Sequence, residues 1–175
     1  FRTLFAHHYA ALVTACGGLT SGKELSPSPD PKKDDADEFV MRDLDRSKEV
    51  FVRHYRNTSY TNHQGKYTAQ AYAELPVWVA VEALSFGTLS RCLEASEGSG
   101  VLAAVADEID VAHATLASQI RSLVYLRNRC AHHARLWNHS VLDSPRLNNN
   151  IARRARKKYG AFEDRAVFRI LIVLD

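Results

Sequence analysis

Arg127 and His132 stand five positions apart in the run Leu126-Arg127-Asn128-Arg129-Cys130-Ala131-His132-His133-Ala134-Arg135-Leu136-Trp137-Asn138. A histidine, with an unperturbed pKa near about 6.5, can take or give a proton at neutral pH. A guanidinium stays charged and forks onto two oxygens of a phosphate. Together they suit phosphodiester cleavage by a neighbouring 2′-hydroxyl, which needs protons moved and a crowded anionic phosphorane stabilised. Asn128 can orient Arg127 or the nucleic acid. A second reading of the same residues is a basic helix end, with Arg and His serving the last carbonyls and the helix dipole. Spacing alone does not choose, because Arg2 with His7 and Arg56 with His63 also leave four to six residues between Arg and His.

Neighbouring residues offer other chemistry. His132, His133 and His139 match no obvious metal-ligand spacing, so no metal and no cofactor is expected. Cys130 reads as a small buried residue rather than a nucleophile. Trp137 can stack a base, but a Trp beside Leu136 at the end of a core helix reads first as packing, and Trp78 reads the same way. Glu82 lies among apolar residues on a predicted helix, where a buried carboxylate needs a partner; Arg127 or Arg135 would serve, and a solvent-facing Glu82 is the equal alternative. Arg146, Arg153, Arg154, Arg156, Lys157 and Lys158 form the one strongly single-signed stretch, a candidate track for an RNA backbone.

The elements that position these groups are helical throughout. Apolar periodicity predicts helices over 1–16, over 37–56 with a break near Ser47, over 77–94 behind Pro76, over 101–109, and from Val111 to about His133. A basic helix over 151–159 and an apolar segment over 162–174 follow. Residues 19–37, with Ser26-Pro27-Ser28-Pro29-Asp30-Pro31 and Lys32-Lys33-Asp34-Asp35, have the composition of a surface loop with mobility. The long helix carries the Arg–His run at its C-terminal end. Five residues turn an ideal helix by about 140°, so Arg127 and His132 need a distorted helix end or a second chain to converge.

The chain has 175 residues, 46% of them hydrophobic, enough for one core and short for two full domains. One domain over 1–175 is expected. The net charge is only +3, so any site for a polyanion must be local. Cys16, Cys92 and Cys130 fit neither a disulfide framework nor a zinc cluster, which favours a cytoplasmic location, and no apolar run suggests a membrane span. The first and last residues fall inside apolar-periodic stretches, as in a domain cut at both ends.

The string Arg127 to His133 closely resembles the R-x4-6-H signature of the HEPN superfamily, whose active members are metal-independent RNases. With Phe51-Val52-Arg53-His54-Tyr55 and the block from Glu74 to Ser90 (ELPVWVAVEALSFGTLS), it resembles the Abi-like family of abortive-infection proteins, a branch of that superfamily. The resemblance implies an all-α, HEPN-like helical bundle. It implies an endoribonuclease in phage defence or a toxin–antitoxin pair, with Arg127 and His132 catalytic and Asn128, His133, Glu82 and Arg135 supporting. It also implies a homodimer with the motifs at the interface, and an RNA or protein antitoxin as a possible partner. A non-catalytic RNA-binding or protein-interaction member of the family is the alternative.

Overall fold

The computed structural model describes residues 1–137 and 139–174. Among them the regular structure is helical: ten α-helices, one 3₁₀ turn and three isolated β-bridges. The all-α class expected from the periodicity is what forms. The contacts group into two compact units, 1–105 and 106–175, so the stretch read as one domain contains an internal division.

In the first unit, α1 (Arg2–Leu12) lies against α5 (Val77–Ala83) and buries Phe5 and Tyr9, with ring centroids 5.5 Å apart. Burying such a side chain contributes roughly 1.5–3 kcal/mol. α3 (Ala36–Arg46) and α4 (Val50–Tyr55) flank α5, burying Val40, Leu44 and Val52. The predicted break near Ser47 separates them. Ser47 has an extended backbone that ends α3.

Residues 77–94 do not form the single helix that periodicity predicts. α5 stops at Ala83 and α6 (Phe86–Ala95) starts two residues after Leu84, whose ψ of 145° is extended. The Arg2 guanidinium donates to the Leu84 carbonyl at 2.8 Å and to the Val81 carbonyl, supplying partners that a helix end lacks. Ser85 Oγ then accepts the Thr88 N–H at 3.1 Å and caps α6. From α3, Asp43 Oδ2 accepts the Ser85 N–H at 2.9 Å and the Thr88 hydroxyl at 2.5 Å. The apolar pattern runs unbroken across this joint, which hides it from a periodicity argument.

The stretch read as a mobile loop is anchored. α2 (Gly18–Ser21) occupies its start, Ser26 N–H donates to the Ala95 carbonyl at 2.7 Å, and Ser28 N–H donates to Asp35 Oδ1 at 2.6 Å. Asp35 and Glu38 form a capping box that opens α3. Ahead of it, Gly17 adopts φ +70°, and a Cβ there would sit 2.6 Å from the Ala73 carbonyl oxygen. This close approach lets Gly17 N–H reach the Leu75 carbonyl at 3.1 Å while Val77 N–H reaches that of Ala15 at 2.8 Å.

In the second unit, α8 (His113–Ala131) turns Leu116 and Ile120 inward, and α10 (Val167–Ile172) packs on it and buries Ile170. The chain beyond α8 is held to it, since Ser118 Oγ accepts the Arg146 N–H at 3.0 Å and the Gln119 amide donates to the Arg146 carbonyl at 3.3 Å. Val141 N–H donates to the Arg165 carbonyl at 2.8 Å, close to the Ser140–Ala166 bridge. Between these lies α9 (Asn149–Tyr159), capped by Asn148, whose side chain accepts the Asn150 N–H at 2.9 Å. No helix among the described residues is long and apolar enough to cross a membrane.

Candidate functional site

α8 carries Arg127, Asn128, Arg129 and Cys130 in its last turns and ends at Ala131. His132 N–H still bonds to the Asn128 carbonyl at 3.1 Å, but His133 swings to φ +50°. His133 N–H then reaches the Cys130 carbonyl at 3.1 Å and Ala134 N–H reaches that of Arg129 at 2.8 Å, the nested pair of a Schellman turn. Glycine usually holds this left-handed position, because a Cβ there costs roughly 1–2 kcal/mol. Here a motif histidine holds it. Helical geometry therefore runs from Arg127 to His132, and the departure at His133 comes after both, so the distortion lies beyond the pair and a second chain remains the way to bring an Arg127 and a His132 together.

Arg127, Asn128, His132, His133 and Arg135 are all exposed. Arg127 Nη1 donates to Asn128 Oδ1 at 3.0 Å, so the amide holds one edge of the guanidinium and leaves the other nitrogens toward solvent. Arg129, which spacing did not single out, is half-buried; its Nη2 donates to the Arg135 carbonyl and ties the turn back onto the helix, and its Nε is buried without a partner. The hint in the sequence is its place in the last turn, where the carbonyl end of a helix favours cations.

Several expectations about neighbours change. Cys130 is exposed rather than buried, and Trp137 is 79% exposed rather than core. Trp78 is 53% exposed. Both tryptophans flank apolar residues in sequence but lie outside the packed face. Glu82 is exposed on α5 in the first unit, so the burial that would demand an ionic partner is absent; Arg127 and Arg135 belong to the second unit. Asn138, the last residue of the motif wording, lies outside the described residues. Cys92 is the buried thiol, and burial, with Asp37 and Asp43 adding to it, pushes its pKa up to about 12.

On α9, Arg153, Arg154, Arg156, Lys157 and Lys158 are exposed, while Ala155 is buried. Helical spacing sets Arg153 and Lys157 opposite Ala155 with Arg154 beside them, while Lys158, three residues after Ala155, stands nearer the packed side. Arg156 turns aside, 5.6 Å from the Phe162 ring centroid and 4.0 Å from Asp164. Beyond the α8 turn, an open groove of about 540 Å³ separates Leu136, Trp137, His139 and Ser140 from α10 and the residues before it. Among the described residues, no three His, Cys, Asp or Glu side chains gather as a metal set.

Charge divides unevenly along the chain. Residues 106–175 hold twelve Lys and Arg against seven Asp and Glu, a net of +5, whereas residues 1–105 hold eleven against thirteen, a net of −2. The whole-chain value of +3 conceals an electropositive second unit.

Neither a curated protein nor a solved structure matches the chain. A family model does, over residues 1–138, which takes in the whole first unit and the α8 end with its motif and leaves α9 and α10 beyond it. That family is described as Abi-like protein, a description that supports a role in abortive infection, and with most of its length matched the chain belongs to the Abi-like family.

Proposed function

We propose that the chain is a metal-independent endoribonuclease of HEPN type, acting in phage defence or as the toxin of a toxin–antitoxin pair. The observation that carries this reading is the end of α8, where Arg127 and Asn128 are hydrogen-bonded in the last turns, His132 caps the helix, and all three are exposed. Arg127 contacts the non-bridging oxygens of the scissile phosphate and stabilises the phosphorane. Asn128 holds Arg127 through the bond at 3.0 Å. His132 exchanges protons with the reacting oxygens. The 2′-oxygen bonds to phosphorus, the bond to the 5′-oxygen breaks, and the products end in a 2′,3′-cyclic phosphate and a 5′-hydroxyl.

One imidazole cannot accept the 2′-hydroxyl proton and donate another to the leaving 5′-oxygen in the same step. A two-fold homodimer supplies a second His132, so that one acts as base and the other as acid. The basic face of α9 holds the RNA backbone. An RNA or protein antitoxin would act by covering this electropositive unit.

The test is incubation of the full chain with end-labelled RNA in EDTA, beside Arg127→Ala and His132→Ala. Wild type should yield 2′,3′-cyclic phosphate ends, and each substitution should slow cleavage by about 10²–10⁴-fold. RNA bound by wild type but left intact would replace this reading with the non-catalytic RNA-binding one.

A further inference from the structure

We propose that the groove beside Trp137 is a stacking subsite for one unpaired base of single-stranded RNA, an inference that deepens the RNA reading above. Trp137 follows His132 by five residues and keeps 79% of its surface exposed, contributing little to any core. It lines the groove with Leu136, His139, Arg165 and Phe168, and a volume of about 540 Å³ is ample for a planar heterocycle.

The other walls are held in place. The His139 ring stacks on Tyr125 with centroids 6.1 Å apart and planes within 6°, and its Nε2 is hydrogen-bonded to the Tyr125 hydroxyl. Phe168 makes edge contacts with Tyr159 at 5.4 Å and Phe162 at 5.6 Å. A preorganised wall facing a free indole is the arrangement a base needs for stacking, and every base has a π-face to offer.

Charge separates the possible occupants. Arg165 and Glu163 both line the groove and offset one another, which suits a neutral base inside it better than a phosphate. Cations stand on one flank of it instead: Lys158 lies 4.8 Å from the Tyr159 ring centroid and Arg156 5.6 Å from that of Phe162, the two rings that contact Phe168. A mainly apolar groove with a cationic flank matches a nucleic-acid strand, base inward and backbone outward, more closely than an apolar peptide.

The chain has two tryptophans, so Trp78→Phe in the full chain leaves Trp137 as the sole indole reporter. The probe is a short 2′-O-methyl oligouridylate, which lacks the attacking hydroxyl, compared with an abasic oligomer of equal length. The oligouridylate should quench Trp137 and the abasic oligomer should not. Trp137→Ala should weaken binding about tenfold, with Trp137→Phe retaining most of it. Equal quenching by the abasic oligomer, unchanged affinity in Trp137→Ala, or full rescue by Trp137→Leu would overturn the proposal, the last pointing to an apolar protein partner. Quenching by a protein that cuts no RNA would leave the subsite standing and cleavage refuted. Cleavage and binding unchanged in Trp137→Ala would do the reverse.

Discussion

His133 bears a left-handed backbone that a glycine would adopt without a Cβ penalty, so His133→Gly should raise stability by about 1 kcal/mol in urea denaturation. His133→Val should lower it by more than that gain, since a β-branched residue fits φ +50° worst. Retained cleavage in His133→Gly, beside loss in His132→Ala, would show that His133 works through the turn. Thiol chemistry divides with equal clarity. The thiolate is the reactive form, and with the Cys92 pKa pushed up to about 12 the buried thiol keeps its proton near neutrality. Labelling with a disulfide reagent should modify Cys16 and Cys130 in the native protein and reach Cys92 only on unfolding. Because folding raises this acid's pKa, its contribution to stability is full at neutral pH and is lost as pH climbs past the ordinary thiol value toward 12. Arg127, Asn128 and His132 were legible as candidates from residue type and wording alone. The left-handed turn was not, because no Gly or Asn marks it, and the exposure of Trp137 was hidden by its apolar neighbour Leu136.

The joint between α5 and α6 depends on a short polar relay among Asp43, Ser85 and Thr88. Ser85→Ala should cost about 0.5–2 kcal/mol, the usual value of a lost N-cap. Asp43→Ala should cost about 0.5–1.5 kcal/mol, because it removes the acceptor shared by the Ser85 N–H and the Thr88 hydroxyl, while Ser85 Oγ stays 2.9 Å from that hydroxyl. Thermal denaturation of the two variants measures both, and an Asp43→Ala protein as stable as wild type would show that the relay contributes nothing. Helix existence was readable here from the spacing of Val77, Val81, Leu84 and Leu89, and the helix break was not. Breaks are set by hydrogen-bonding partners that arrive from elsewhere in the fold, in this case Arg2 and Asp43. The anchored stretch from Ser26 to Asp35 teaches the same point in reverse. Its composition reads as unable to order, yet the distant Ala95 carbonyl takes the Ser26 N–H and the Asp35 carboxylate takes that of Ser28.

Across the whole molecule, charge is the property that composition averaged away. The second unit carries +5 and the first −2, and the division appears only once contacts define the units. Replacing Arg153, Arg154, Lys157 and Lys158 together with Ala should weaken RNA binding and reduce the magnitude of the salt slope by up to about 3, at roughly 0.7 per phosphate contact on a single strand. Filter binding across a salt series measures it, and an unchanged slope would remove α9 from the interface. On the proposed RNA reading, the same division also governs the approach of the strand. A polyanion diffusing near the chain is drawn to residues 106–175 and weakly repelled by residues 1–105, so productive collisions are selected before any contact forms. The uneven charge thus acts on encounter, making the fraction of fruitful meetings, and not only the lifetime of the complex, depend on ionic strength.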